Sequence, residues 1–318
     1  MTREQNAEPD AAAERDAFRR EALAGLGEAQ KRLPGKYLWD EAGSILFDRI
    51  CDHPDYYPTR REMALLPQVV PEIAALVGAG ATIVEYGSGA SRKIRTLLDG
   101  LDRPRRYVAI DISRDYLETS VGKLARDYSG IAMIPVAADY AEPIRLPLAL
   151  GDAPVLGFFP GTSIGNLAPA EAEAFLARAR DTLGPSHLLV GADPTQDADR
   201  LQRVYGGCDG LMPQLHLNLL TRLNRELDAG IDRDAFRHAV RILPDPLRVE
   251  AHLVADRADS WRLGADAIRF APGESVRTDV SHKHPPDALR AMAERAGWTP
   301  RRVWLDPEGL FSLHLLSC

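Results

Sequence analysis

At 318 residues with 45% hydrophobic content, the chain is long enough for one large domain or two moderate ones around a substantial core. A net charge of -7 gives no basic footprint for a nucleic acid, and no run of about 18 apolar residues is present to span a membrane. Cys51, Cys208 and Cys318 lie far apart without metal-ligand spacing, and the charged N-terminus has no apolar leader core, so no metal site and a cytoplasmic location are expected.

Residues 11–30, rich in Ala, Glu, Arg and Leu, predict an amphipathic helix; residues 43–50 predict a second that ends near Pro54, and 63–76 a third. Strands and helices then alternate: strand 83–85, helix 92–101, strand 107–112, helix 113–128, strands 132–137 and 155–159, helix 169–183 and strand 188–192. Such alternation specifies a parallel sheet with helices on both faces. After Asp193 the rhythm changes to helices over 198–205 and 215–227. Strand-like runs follow at 236–243, 247–255, 267–270 and 276–280, with turns at Pro244-Asp245-Pro246 and Gly273-Glu274. A last helix over 286–297 and strands over 301–306 and 310–317, joined by Pro307-Glu308-Gly309, close the sheet with an antiparallel edge.

The expected fold is therefore α/β, a Rossmann-like sheet with a smaller α+β domain, and its antiparallel ending resembles the class I methyltransferase version of that sheet, in which the smaller domain is substrate-binding. Its expected divisions are an N-terminal helical segment contributing to the substrate site (1–60), the core (61–195), the α+β insertion (196–285) and a C-terminal return to the core (286–318).

The most informative stretch is 82–92, where a short apolar strand runs into Glu85 and a Gly87-Ser88-Gly89 turn. About twenty residues on, a second strand ends on Asp111, the spacing of a nucleotide-type site in an open sheet. The glycines let backbone approach a ligand, and the acid can accept from both ribose hydroxyls. A dinucleotide fingerprint wants a third glycine three residues after Gly89, where Arg92 stands, and Glu85 would repel a pyrophosphate. S-adenosylmethionine has no phosphate and carries a cationic sulfonium and amino group, so it suits this acidic turn better than NAD. Asp139, after the third strand and before Tyr140, is placed to receive the adenine amino group.

The resemblance to a family is then specific. Lys36-Tyr-Leu-Trp39-Asp-Glu-Ala-Gly43-Ser44-Ile-Leu-Phe47-Asp, Pro54-Asp-Tyr56-Tyr57-Pro58-Thr59-Arg60-Arg-Glu62 and the glycine turn come first. Gly161-Thr-Ser-Ile-Gly165-Asn166-Leu, Asn224-Arg225-Glu226-Leu227 and Thr278-Asp279-Val280-Ser281-x-Lys283 follow in the same order as in the histidine-specific Nα-methyltransferases, which the chain resembles from about residue 20 onward. The best-known member, of ergothioneine biosynthesis, converts histidine to its trimethylammonium betaine. The resemblance implies that Tyr56 and Asn166 hold the amino-acid end of the substrate as catalytic residues, with Gly161 lining the same cleft and Tyr205 touching the carboxylate. It implies that Glu85, Gly87, Gly89, Lys93, Asp111, Asp139 and Tyr140 surround S-adenosylmethionine. Read without it, Tyr56-Tyr57 is a packed loop corner and Asn166 a helix cap before Pro169.

The chain departs from the family at the substrate side chain. Asp279 stands where glutamate is usual, beside a retained Ser281; Ala251 replaces methionine, Trp39 replaces tyrosine, and Gly206-Gly207 replaces an acidic pair. Ala251 and Asp279 together enlarge that end of the pocket, which admits a bulkier aromatic amino acid as the alternative to histidine. Trp39 reads equally as a cation–π partner for the methylated head or as an apolar anchor. His282 and His284 lack the spacing of a metal site and are expected to face solvent or to support a site from behind, and Arg60 and Arg61 to be surface or helix-start charges. A non-catalytic cofactor-binding regulator is opposed by the presence of Tyr56, Asn166 and Tyr205. The partner expected is thus a small amino acid and not a nucleic acid or membrane, with oligomeric state left open.

Overall fold

The computed structural model describes residues 11–89, 92–151 and 153–318, so the first ten residues of the expected N-terminal segment, and Ala90 and Ser91 of the glycine motif, lie outside the described residues. Three helices, α1 (Ala11–Leu26), α2 (Glu41–Asp52) and α3 (Tyr57–Val77), precede β1 (Thr82–Tyr86). Then come α4 (Arg92–Gly100), β2 (Arg106–Asp111), α5 (Arg114–Asp127), β3 (Ala132–Ala137), β4 (Val155–Phe159), α6 (Pro169–Leu183) and β5 (His187–Ala192). Helices α7 (Ala198–Gly206) and α8 (Leu211–Leu227) lead into β6 (Phe236–Leu243), β7 (Arg248–Ala255), β8 (Asp259–Leu263), β9 (Asp266–Phe270) and β10 (Ser275–His282). The chain ends with α9 (Pro286–Arg295), β11 (Thr299–Leu305) and β12 (Ser312–Ser317).

Seven strands form one sheet in the order β11-β12-β5-β4-β1-β2-β3, with β3 to β5 parallel through β2, β1 and β4, and β12 antiparallel to both β5 and β11. Alternation along the strands builds two cores. Ile83, Tyr107 and Phe158 face a cluster with α3, α4 and α5, whereas Val84, Val108 and Phe159 face one with α6 and α9. β1, buried along its whole length, sits in the middle, and its C-terminal end delivers Glu85 and the glycine turn to the edge where open α/β sheets bind ligands.

A second sheet, β10-β7-β6, is antiparallel, and β8 pairs with β9 as a separate hairpin. The leucines at 219, 220, 223 and 227 of α8 pack with Phe236, Leu253 and Val276 beneath this sheet. Between Arg277 and Asp279 the register shifts, leaving Thr278 as an extra residue on β10.

Three expectations need correction. Helix α3 starts six residues before the expected position, because Pro58 sits in its first turn, where a missing N–H costs nothing, so Tyr57 to Glu62 are helical and Tyr56 is the cap residue. β8 was not foreseen: its five residues alternate polar with Trp261 and Leu263 and are paired to β9 alone. Of the two roles expected for His282 and His284 the solvent-facing one fails: both are buried, their strand end being covered by the loop at Gly165, whose carbonyl accepts from His282 Nδ1 at 3.1 Å.

Candidate active site

One cavity of about 900 Å³ opens at the C-terminal edge of β1 and β2, large enough for a nucleoside and a small amino acid together. Trp39, Tyr56, Gly161, Asn166, Tyr205, Ala251, Asp279 and Ser281 all line it, and so do Glu85, Gly87, Gly89, Lys93, Asp111, Asp139 and Tyr140. Residues from nine separate stretches of the chain thus meet in one space.

On the β1–β2 side, Gly87 and Gly89 adopt φ of 76° and 49°, and the N–H groups of Gly87 and Ser88 donate to the Ile110 carbonyl at 2.8 and 3.2 Å. Asp111 anchors the turn: Oδ2 accepts from Gly89 N–H and Oδ1 from Ser113 N–H, each at 3.0 Å. Burial raises the Asp111 pKa, and these backbone donors oppose the rise. Glu85 is buried and takes a hydrogen bond from the Tyr107 hydroxyl; burial pushes its pKa up to about 8. It is therefore mostly neutral at pH 7, and charge repulsion from Glu85 is not what shapes this turn. Asp139 Oδ1 accepts from Ala141 N–H at 2.9 Å, with Lys36 Nζ 3.7 Å from Oδ2, and the Tyr140 ring packs edge-on against Phe159 and Phe175. Lys93 pairs at 2.5 Å with the buried Glu62, whose two oxygens also accept from Gly161 N–H at 2.9 and 3.0 Å.

On the opposite wall, Trp39, Phe47 and Tyr56 form a chain of edge-to-face rings with centroids 5.2 and 5.9 Å apart. Trp39 is also tied to the start of α5, where Ser113 donates to its carbonyl. Asn166 ends a short 3-10 turn, Ser163–Asn166. It is not the cap of α6: the Ala168 N–H at that helix start donates to Glu171 at 2.8 Å, and Asn166 lines the cavity.

Behind Tyr205 and Ser281 lies a buried polar network. Lys283 Nζ donates to Asp193 Oδ2 at 2.9 Å, Tyr205 Oη at 2.8 Å and Ser281 Oγ at 2.9 Å, which uses all three ammonium protons. Burial alone would pull the Lys283 pKa down; the Asp193 carboxylate and the Tyr205 hydroxyl reverse this and hold it above its ordinary value. Tyr57 donates to the same Asp193 oxygen at 2.6 Å, and Thr195 N–H holds the other at 2.9 Å. Because Tyr205 and Ser281 both accept from Lys283, they keep their own protons. One bridges the 3.2 Å between them, and the other remains for a ligand. Asp279, half-buried at the cavity wall, has its pKa pushed up to about 7 by burial, against the Val280 N–H, Lys283 and Arg277.

The family model of histidine-specific, S-adenosylmethionine-dependent methyltransferases matches residues 18–318. The chain belongs to that family. Histidine N-alpha-methyltransferase of Mycolicibacterium smegmatis is 39% identical over 316 residues, covering 96% of each chain, and that of Mycobacterium tuberculosis 38% identical over 307 residues, covering 95% of each. Ergothioneine biosynthesis protein 1 of Neurospora crassa is 30% identical over 204 residues, 62% of this chain and 23% of the relative.

The residues present in this methyltransferase fit S-adenosylmethionine. Each Asp111 oxygen holds one backbone N–H and retains a lone pair for a ribose hydroxyl, and the glycines leave the approach open, with nothing among the described residues within 4 Å of a Cβ built at Gly89. Among the described residues no helix is long and apolar enough to cross a membrane. Sequence reasoning missed Tyr57, Glu62, Asp193 and Lys283 as parts of the site. Three of them stand inside the motifs that carried the resemblance, and Asp193, directly after β5, is a further acid at a strand end.

Proposed function

We propose that this methyltransferase acts on the α-amino nitrogen of a free amino acid, with L-histidine as substrate and the trimethylammonium betaine as end product, in ergothioneine biosynthesis. The observation that carries the reading is the convergence of Tyr56, Asn166 and Tyr205 on the same cavity as Asp111 and the glycine turn. When bound, S-adenosylmethionine supplies an electrophilic methyl group. The protein's part is positioning. Tyr56, Asn166 and Tyr205 grip the amino and carboxylate end of the substrate, which leaves the deprotonated amine with its lone pair aimed at the cofactor side, at the roughly 3 to 3.5 Å that in-line attack needs. The Trp39, Phe47 and Tyr56 rings offer an aromatic wall to the growing cationic head. Asp279 and Ser281 face the imidazole. In this reading 61–195 with 286–318 form the core that holds the cofactor and supplies Asn166, 1–60 and 196–285 supply the rest of the amino-acid site, and the enzyme works in the cytoplasm.

A second reading keeps the chemistry and changes the side chain. Ala251 and Asp279, paired across β7 and β10, leave the space that a longer residue at either position would fill, which favours a bulkier aromatic amino acid. Proton NMR of the product from S-adenosylmethionine and L-histidine tests the first reading. It predicts methyl signals on the α-nitrogen; methylation of a ring nitrogen, or no product, contradicts it.

A further inference from the structure

His216, on α8, lines the cavity beside Thr278 and Ala251, yet nothing in the family motifs points to it. Its Nδ1 lies 2.8 Å from Thr278 Oγ1, and the same hydroxyl lies 3.2 Å from the Ala251 carbonyl. A carbonyl can only accept, so the single Thr278 proton goes to Ala251. Thr278 must then accept from His216, which fixes the Nδ1–H tautomer and leaves Nε2 as a bare acceptor. Burial, with His238 stacked at 4.7 Å and His252 nearby, holds the His216 pKa well below its usual value, so the ring is neutral at pH 7. Among the described residues Nε2 has no partner, and it is not sealed within protein. The bulge at Thr278 is what turns its hydroxyl towards α8 while the neighbouring Asp279 also lines the cavity.

We propose that His216 is a specificity residue whose Nε2 accepts a hydrogen bond from a ring N–H of the substrate's heteroaromatic side chain. With Asp279 it gives the side-chain end of the cavity two acceptors, which an imidazolium fills with its two N–H groups, a neutral imidazole or an indole fills in part with its one, and a plain phenyl ring does not fill at all. Imidazole and indole both offer such a donor. The inference rests on the amino-acid methylation proposed above and adds the group that reads the side chain.

Two isosteric changes separate this role from a structural one. His216→Asn keeps an amide donor where Nδ1 stands, towards Thr278, and deletes the acceptor; His216→Gln keeps an amide oxygen where Nε2 stands and deletes the Thr278 contact. Steady-state kinetics with histidine and with tryptophan, alongside melting curves and calorimetric binding of S-adenosylmethionine, give the readout. The Asn variant is expected to raise KM for the N–H-bearing substrate roughly tenfold and the Gln variant less than about threefold, with cofactor affinity unchanged in both. On the wild-type enzyme, phenylalanine is expected to be methylated at least about tenfold less efficiently than the preferred heteroaromatic substrate. The reverse order of the two variants, or wild-type turnover of phenylalanine equal to that substrate, overturns the role of His216. Failure of the wild type to methylate any amino acid overturns instead the function on which it rests.

Discussion

Lys283 and Asp193 form an ion pair at 2.9 Å with both side chains entirely out of solvent. A buried pair of this kind earns its place only if every remaining hydrogen-bonding valence is satisfied, and here Tyr57, Thr195, Tyr205 and Ser281 complete it. It ties α3, β5, α7 and β10 together behind the proposed carboxylate site.

Lys283→Met strands the Asp193 carboxylate without its counter-charge and is expected to lower folding stability by about 3 to 5 kcal/mol. Tyr57→Phe, which removes one hydrogen bond to that carboxylate, is expected to cost about 1.5 to 3 kcal/mol. Urea unfolding of the two variants checks both values, and a Lys283→Met protein as stable as wild type would show that the pair is dispensable.

Asn166→Ala removes a contact proposed for every substrate. Turnover should fall for all amino acids tested while calorimetric binding of S-adenosylmethionine stays nearly intact. A loss confined to one side-chain type would move Asn166 to the other end of the pocket.

Asp111→Ala is expected to weaken S-adenosylmethionine binding by about 1.5 to 3 kcal/mol, the range for hydrogen bonds to a charged group. The same change frees Gly89 N–H, so part of the loss comes from the turn itself. Unchanged affinity by calorimetry would remove Asp111 from the site.

These positions differ in how far they could be read in advance. The position of Asp111 at the cavity was legible because an acid at a strand end, about twenty residues after a glycine turn, is a local pattern, and the alternation that places Ile83 and Val84 in opposite cores is local too. Lys283 and Asp193 stand ninety positions apart, and His-Lys-His reads as a solvated run until the chain folds it inward. His216 was hidden for a similar reason: its role depends on a bulge at Thr278, and a bulge leaves no periodic trace. The Trp39 wall was foreseen as a residue, but its ring contacts to Phe47 needed the packed helices.

Asp279 sets a pH dependence of two opposite signs. As the imidazole acceptor it is needed ionised, so kcat/KM for histidine should rise as pH passes through about 7, apart from the further rise as the amine deprotonates at higher pH. For folding, its pKa is raised above the unfolded value of about 4, so the stability it contributes is full below about pH 4 and lost as pH rises through about 7. Asp279→Asn should abolish the lower kinetic step, and in urea unfolding should gain on wild type as pH rises from about 4 to about 7. An unaltered pH–rate profile in that variant would separate Asp279 from the substrate.

The most direct test of the central claim is a single reaction containing S-adenosylmethionine and all the common amino acids at equal concentration, followed by mass spectrometry over time. The account predicts that histidine is consumed first and passes through mono- and dimethyl forms to the trimethyl betaine. Histidine left untouched while another amino acid is methylated would contradict it.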